Sequence, residues 1–337
     1  MSSHFSSVMP VNWEALVAEA IRRRKAERMT QKEHAALASV SIPTMLSFER
    51  GEQTLSLGKA FDILRVVGLI EEGGGKGSQE NFVQVAFERW RELVRPLPSD
   101  SPARFQHGWY RLDYALEGDL KALEPYQLLP MMREQKLNNT GWPMFVAMTR
   151  DEFEPYERDG VLECWLKPAE GGLERRLNDP AHCDFWQASP SGRFVLLRGY
   201  QEDGADTFEP GRVFDTTLPI WRIAEGLLHS SRMARVLVKP GKSPVHVKFS
   251  ILYTGLAGRV LRSWANPLAD LFIEGGAARS DEAMLQTESA AGDIEGSLTE
   301  LVYPMVVSLF DRFGVTGLSK DRVEAEIRRF EKSGMVG

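Results

Sequence analysis

An all-helical N-terminal domain followed by a larger α+β domain is the fold class that this 337-residue sequence predicts. Three observations predict it. Residues 12–70 place apolar side chains at i, i+3 and i+4 between recognisable caps, the pattern of short amphipathic helices. Residues 71–80, Glu-Glu-Gly-Gly-Gly-Lys-Gly-Ser-Gln-Glu, set four glycines among polar neighbours and read as a linker. Residues 81–337 mix short β-like runs with long helical ones, without regular βαβ alternation, which points to α+β.

Composition narrows the class further. Hydrophobic residues at 43% and charged residues at 26% are globular values and exclude a disordered or low-complexity chain. No apolar run approaches the roughly 20 residues that span a bilayer. The start, Met1-Ser-Ser-His-Phe5, lacks the basic and then apolar pattern of a secretory signal. Two cysteines, Cys164 and Cys183, cannot build a disulfide framework. The expectation is a soluble, cytoplasmic protein without membrane association. Residues 1–80 carry 10 basic and 10 acidic side chains, so the whole net charge of -6 lies in the remainder. Nucleic-acid binding would have to come from local clustering rather than global charge.

The first helix runs through Trp13, Leu16, Val17, Ala20 and Ile21. Thr30-Gln-Lys-Glu33 is a capping box that opens the second, in which Ala35, Ala36 and Ala38 allow close packing. Ser41 caps a third helix; Pro43 falls in its first turn, where a missing N–H costs little, and Gly51 ends it. Ser56 caps a fourth, with an apolar stripe through Ala60, Ile63, Leu64 and Val67 that stops at Gly68. Gly-Lys-Gly-Ser within 71–80 is not a phosphate loop. Lys76 is followed by Gly77, and Glu71 stands where the motif needs glycine.

The second and third helices, at 30–38 and 41–50, are joined by almost nothing, which is helix-turn-helix spacing. Gln31, Ala35, Ser39-Val40, Ser41 and Glu49-Arg50-Gly51 closely resemble, in residue type and joint spacing, the Xre/lambda-repressor-like family of helix-turn-helix transcription regulators. The resemblance covers about 60 residues and none of the remaining chain. His34 stands where the family has leucine, and Ser39 replaces a glycine at the turn. The resemblance implies a buried ion pair between Arg24 and Glu49. It also implies a recognition helix whose N-terminal half reads bases in the major groove.

That half offers Ile42, Pro43, Thr44 and Ser47 after the Ser41 cap. Hydroxyls there meet either donor or acceptor edges and apolar groups meet thymine methyls. With no Asn, Gln or Lys on this face, part of the specificity is expected from DNA shape. Gln31 is expected on a phosphate at a helix N-terminus, and Arg50 on another. The run Arg22–Lys25, with Arg28 and Lys32, is the strongest basic cluster; Arg22, Arg28 and Lys32 are its candidate phosphate contacts. His34 is read as a packed helix residue.

In residues 81–337, a helix is expected over Asn81–Leu97 and β-like runs at Met144–Met148, Val161–Leu166, Arg193–Gly199, Val245–Tyr253 and Arg259–Trp264. Further helices are expected over Leu218–Leu237, Asp293–Phe313 and Ser319–Lys332. His182-Cys183-Asp184 reads as a strand-edge turn rather than a metal or nucleophile site, and no catalytic residue, metal or cofactor is expected. Polar-aromatic stretches supply a candidate ligand pocket from Trp142, Trp186, Arg198, Tyr200, Trp221, Arg222 and Glu225. On a helix, Trp221 and Glu225 would face together.

The function expected is a sequence-specific DNA-binding transcription regulator, a repressor by the family's usual role and not an enzyme. It would act as a homodimer on an inverted-repeat duplex operator, because one such module covers only a few base pairs. The second domain would dimerise and sense a small-molecule effector. The alternative is an antitoxin-like protein that grips a partner protein and autoregulates its operon.

Overall fold

The computed structural model describes residues 12–52, 55–70, 78–169, 178–265 and 275–333. Most of the expected linker, residues 71–77, lies outside them. By contacts the chain divides into two units, Met1–Gln84 and Val85–Gly337.

Unit 1 holds α1 (Trp13–Ala26), α2 (Gln31–Leu37), α3 (Ile42–Glu49) and α4 (Leu57–Val66). Their ends follow from local chemistry. Asn12 accepts from the Ala15 amide to start α1, and the Thr30–Glu33 capping box starts α2 in both directions. Ser41 accepts from the Thr44 amide at 3.3 Å to start α3. Ser56 precedes α4 but makes no side-chain cap. Gly51 closes α3 at φ +75°, a left-handed position that glycine adopts freely. Ser39, in the turn between α2 and α3, sits at φ +53°, which explains why glycine is the expected residue there. The core of unit 1 gathers Val17, Ala20, Ala35, Met45, Phe48, Ile63 and Leu64, all buried. Trp13 joins edge-on to Phe48 at 5.4 Å. His34 is also buried, and its Nε2 lies 2.9 Å from the Ile63 carbonyl, so it joins α2 to α4 where a leucine would only pack.

α5 (Gln79–Val94) spans the division between the units. Unit 2 continues with β1 (Trp109–Glu117), α6 (Pro125–Glu134), β2 (Tyr156–Arg158), β3 (Val161–Trp165), β4 (Phe185–Ser189) and β5 (Arg193–Gly199). Then come β6 (Val213–Asp215), α7 (Leu218–Leu237), β7 (His246–Tyr253), β8 (Val260–Arg262), β9 (Ala283–Ala290), α8 (Leu298–Phe310) and α9 (Lys320–Ser333). Seven strands form one antiparallel sheet in the order β2-β3-β4-β5-β1-β7-β9, while β6 and β8 make a parallel pair.

β1 is the central strand. It pairs with β5 (Leu112 opposite Leu196) and with β7 (Leu112 opposite Ile251). Its alternate residues Tyr110, Leu112, Tyr114 and Leu116 enter the main core with α7 and α8. α7 lies close on the sheet at Gly226, where an added Cβ would stand 2.6 Å from Leu112 Cδ1 and 2.7 Å from Phe249 Cε2. On the other face of β1, Arg111 and Asp113 pair at 2.7 Å, both buried.

This architecture corrects the expected fold class. The described residues form nine α-helices and a seven-stranded antiparallel sheet. Four helices stand at the N-terminus without establishing a lambda-repressor-like helix-turn-helix. Caps and apolar spacing dictate that short helices form and pair; they do not dictate the class of arrangement, which long-range packing decides. Five scattered β-like runs also undercounted the sheet. Met144–Met148 is not a strand: Phe145 takes φ +51°, and its ring enters the core stacked on His229 at 4.9 Å. Among the described residues, no helix is long and apolar enough to cross a membrane.

Candidate functional site

In unit 1, the last turn of α1 brings Arg24 against Glu49 of α3. Arg24 Nε donates to Glu49 Oε1 at 2.7 Å, and Arg24 Nη1 donates to the Met29 carbonyl at 2.9 Å. The two side chains are 10% and 13% exposed. Gln31 Nε2 donates to the other oxygen, Glu49 Oε2, at 2.5 Å. Gln31, expected on a phosphate, therefore ties the start of α2 to the end of α3. The physical reason is that Arg24 uses only one oxygen of Glu49, and the second needs a donor.

With Met45 and Phe48 buried, α3 turns Pro43 and Arg50 outward and leaves Ile42, Thr44 and Ser47 half-buried. The Ser41 and Thr44 hydroxyls lie 2.9 Å apart and engage each other. Arg28 and Lys32 are exposed. Arg22, also exposed, is held by Glu19 through two bonds of 2.6 and 2.7 Å, and Arg50 pairs with Glu52 at 3.2 Å. Arg23 is structural: its Nη1 donates to the Val67 and Gly68 carbonyls at the end of α4. The basic run thus divides between stapling the helices and facing solvent. Exposed pairs such as Arg22–Glu19 exchange partners at little cost, because solvent screens them.

In unit 2, the expected ligand pocket comes together only in part. Trp142, Arg198 and Arg222 line one cavity of about 10 Å³, with Thr140, His182 and Gln201 in the same wall. That is room for about one water-sized group. Thr140 donates to Glu225 Oε2 at 2.6 Å, which brings Glu225 to the edge of the group. Arg198 Nε and Nη2 donate to the two oxygens of Asp184 at 2.7 and 2.5 Å, and Trp142 Nε1 donates to Asp184 Oδ2 at 3.2 Å.

Three expected members are elsewhere. Trp186 is fully buried and donates to the Val146 carbonyl at 3.0 Å. Tyr200 is fully buried, its hydroxyl donating to the Thr254 carbonyl at 2.8 Å and its ring 4.6 Å from the Arg259 guanidinium. Trp221 turns to α9, where it donates to Glu326 Oε2 at 3.2 Å and meets Phe330 edge-on. Trp221 and Glu225 therefore serve different neighbours, although one helix carries both. Trp186 and Tyr200 were drawn into the core because their polar tips found backbone carbonyls there.

Burial sets the electrostatics. It pushes the Glu225 carboxyl up to about 7, against the opposing influence of Thr140 and Arg198. It also raises Glu202, offset in part by the Arg222 guanidinium. His229, buried with its Nδ1 2.9 Å from the Tyr114 hydroxyl, is pulled down to about 3 and stays neutral. In unit 1, burial likewise lowers His34.

No family model matches this chain, and neither does any curated protein or solved structure.

Cys164 is buried and its thiol is pushed well up by burial, leaving little nucleophilic thiolate. Among the described residues no cluster of His, Cys, Asp or Glu is arranged to hold a metal ion. His182 does form a dyad, its Nδ1 2.7 Å from Asp179 Oδ2, with its ring edge-on to Trp142 at 4.5 Å. Sequence reasoning set that histidine aside as part of a turn. It also missed Gln201 and Glu202 as neighbours of Arg222. The Arg198-Gly-Tyr-Gln-Glu202 stretch was the available signal, since it carries an arginine and an acid at one strand end.

Proposed function

We propose that this chain is a sequence-specific DNA-binding transcription regulator that acts as a dimer. The N-terminal helical unit would contact an inverted-repeat operator, and the second unit would dimerise and sense a small-molecule effector. One observation carries the reading: the Arg24–Glu49–Gln31 network fixes α3 from behind while Pro43 and Arg50 face outward with Arg28 and Lys32 exposed nearby in sequence. A helix locked from its buried side and short-chained on its outer side can enter a major groove without rearranging. The resemblance of residues 30–51 to regulators of the Xre type supports the same reading. Thr44 and Ser47 would meet base edges; Arg28, Lys32 and Arg50 would meet phosphates, with Arg22 joining once it leaves Glu19.

The test is selection of duplexes from a random pool by the purified full-length protein at moderate salt. An enriched inverted repeat, with half-sites about one helical turn (~34 Å) apart, is expected. Thr44→Ala and Ser47→Ala should then change sequence preference. Arg28→Ala and Lys32→Ala should weaken binding to all DNA and flatten its salt dependence. Binding with no enriched sequence, vanishing as salt rises, would refute the reading.

A further inference from the structure

The seven-stranded sheet ends differently at its two sides. At one side β2 is three residues long, follows Pro155 and carries Glu157 and Arg158. Shortness, proline and charge are the devices that keep an edge strand from pairing with another chain. At the other side β9 has none of the three. It runs eight residues, Ala283–Ala290, without proline or lysine, and Glu288 is its one charge. Its register with β7 is unbroken from Ala283 opposite Tyr253 to Ala290 opposite His246, so no bulge twists the edge away. Among the described residues no strand pairs with its outer side. An antiparallel edge strand points the N–H and C=O of about half its residues outward, ready for a further strand.

The side chains of β9 fit a second copy of the same strand. Residues opposed across an antiparallel pair share one face of the sheet, so two copies related by a two-fold axis must set even residues against even and odd against odd. Centring the axis on Leu285 or on Glu288 sets Glu288 against Glu282 or against itself, like charges in both cases. Centring it on Gln286 sets Glu288 against Met284. Centring it on Thr287 sets Thr287 against itself, Leu285 against Ser289, and Gln286 against Glu288 on both sides of the axis. There the single carboxylate of each strand meets a carboxamide that can donate to it, and two threonines meet at the centre, a favourable cross-strand pair. Gln286 and Glu288 are both exposed, so neither leaves the core to make the contact.

We propose that the outer edge of β9 is the surface through which two copies of this chain dimerise. The two β9 strands pair antiparallel with Thr287 opposite Thr287, which joins the two seven-stranded sheets into one continuous sheet. The overlap over residues 284–290 gives roughly seven backbone hydrogen bonds between chains, within the ~10 ± 5 of a typical interface. Both copies use the same patch, so the pair closes and does not grow into a filament. The pairing stands on the edge alone; its use in setting two N-terminal units on an operator rests on the regulator reading above.

The experiment is sedimentation velocity of the full-length chain across a dilution series, with amide deuterium exchange read at both ends of it. A monomer–dimer equilibrium is expected, with exchange in residues 284–290 slower in the dimer than in the diluted monomer. Gln286→Glu sets two carboxylates opposite each other at two places and should raise the dimer Kd about 2- to 30-fold. Adding Glu288→Gln to that variant should restore the parent Kd, because the carboxylate and the carboxamide have then only changed places across the axis. Thr287→Cys should cross-link on oxidation, since directly opposed Cα atoms stand ~4.5–5.5 Å apart, within reach of a disulfide. Ser289→Cys should not, because its two copies lie about 14 Å apart along the strands. The chain's own Cys164 and Cys183 are buried. A monomer at every concentration would overturn the proposal. So would a dimer in which Gln286→Glu changes nothing and Thr287→Cys does not cross-link, since its contact lies elsewhere. Protection of residues 284–290 that is the same at every dilution would overturn it too, because another part of the chain then covers the edge. None of these readouts involves DNA. A cross-linked dimer that enriches no operator would sink the regulator reading and leave the β9 pairing, and an operator bound by a dimer indifferent to Gln286→Glu would do the reverse.

Discussion

Replacing Arg24 with alanine should unfold unit 1 well before unit 2. The substitution removes the ion pair to Glu49 and the bond to the Met29 carbonyl together, and it leaves a largely buried carboxylate that Gln31 still holds by one oxygen. Breaking one side of a buried pair costs about 3–5 kcal/mol. The lower end applies here, because the two side chains keep 10% and 13% of their exposure and Gln31 still donates. In a unit of this size, about 3 kcal/mol lowers the melting midpoint by ~12–24 °C. Trp13 is the only tryptophan in residues 1–84, and it packs on Phe48 of α3. Fluorine NMR of the 5-fluorotryptophan-labelled chain, with Trp13 assigned through Trp13→Phe, therefore follows unit 1 separately from the seven other tryptophans. Arg24→Met with Glu49→Leu should recover most of the loss, since removing both charges leaves no buried charge unpaired. A Trp13 midpoint within about 3 °C of the parent in Arg24→Ala would refute the reasoning.

Three more outcomes follow from burial. His34 has its folded-state pKa below its ordinary value, so unit 1 should lose stability as pH falls below about 6.5 towards that lower value, with no such loss above; the Trp13 midpoint should show this slope, and His34→Gln should flatten it. Glu225 is raised from 4.5 to about 7, so its stabilising share is full below about 4.5 and lost as pH rises through 7, amounting to about 3 kcal/mol. Glu225→Gln should accordingly stabilise unit 2 in denaturant melts at pH 8 and lose that advantage near pH 5; equal gains at both would contradict the assignment. Gly226→Ala gains about 1 kcal/mol of helix propensity but crowds Leu112 and Phe249, a cost of about 1–3 kcal/mol. A net loss is expected in urea unfolding, and a stabilised variant would show that α7 can move off the sheet freely.

Where local chemistry decided the outcome, the residues could be read directly. The helix expected over Leu218–Leu237 is α7 with those bounds, because its apolar period is long and its sides are distinct. Thr30–Glu33 lies where its spacing put it, and Arg24 pairs with Glu49, a contact that only the resemblance, and no spacing, had implied. The central strand went unread. In β1, Trp-Tyr-Arg-Leu-Asp-Tyr-Ala-Leu-Glu, Arg111 and Asp113 look like surface charges, whereas they share one buried face and neutralise each other. β9, Ala-Met-Leu-Gln-Thr-Glu-Ser-Ala, has few β-branched residues and owes its strand to pairing with β7. The reverse error, Met144–Met148, shows that an apolar run reports burial before it reports conformation. The pocket was half legible for the same reason. Arginine and tryptophan in short stretches marked where polarity is buried, but Trp186 and Tyr200 satisfied themselves on backbone carbonyls 40 and 54 residues away.

The position of β1 also fixes an order of events during synthesis. β1 emerges from the ribosome early, yet its two neighbours, β5 and β7, complete near residues 199 and 253. At about 5–20 residues per second, β1 waits on the order of 7–30 s for β7, with Tyr110, Leu112 and Tyr114 uncovered. Unit 1, whose partners lie within a few dozen residues of one another, closes its contacts far sooner. Conditions that slow translation between residues 117 and 253 would lengthen the exposure of an apolar strand with two unpaired edges, and it is there that a chaperone would act on this chain.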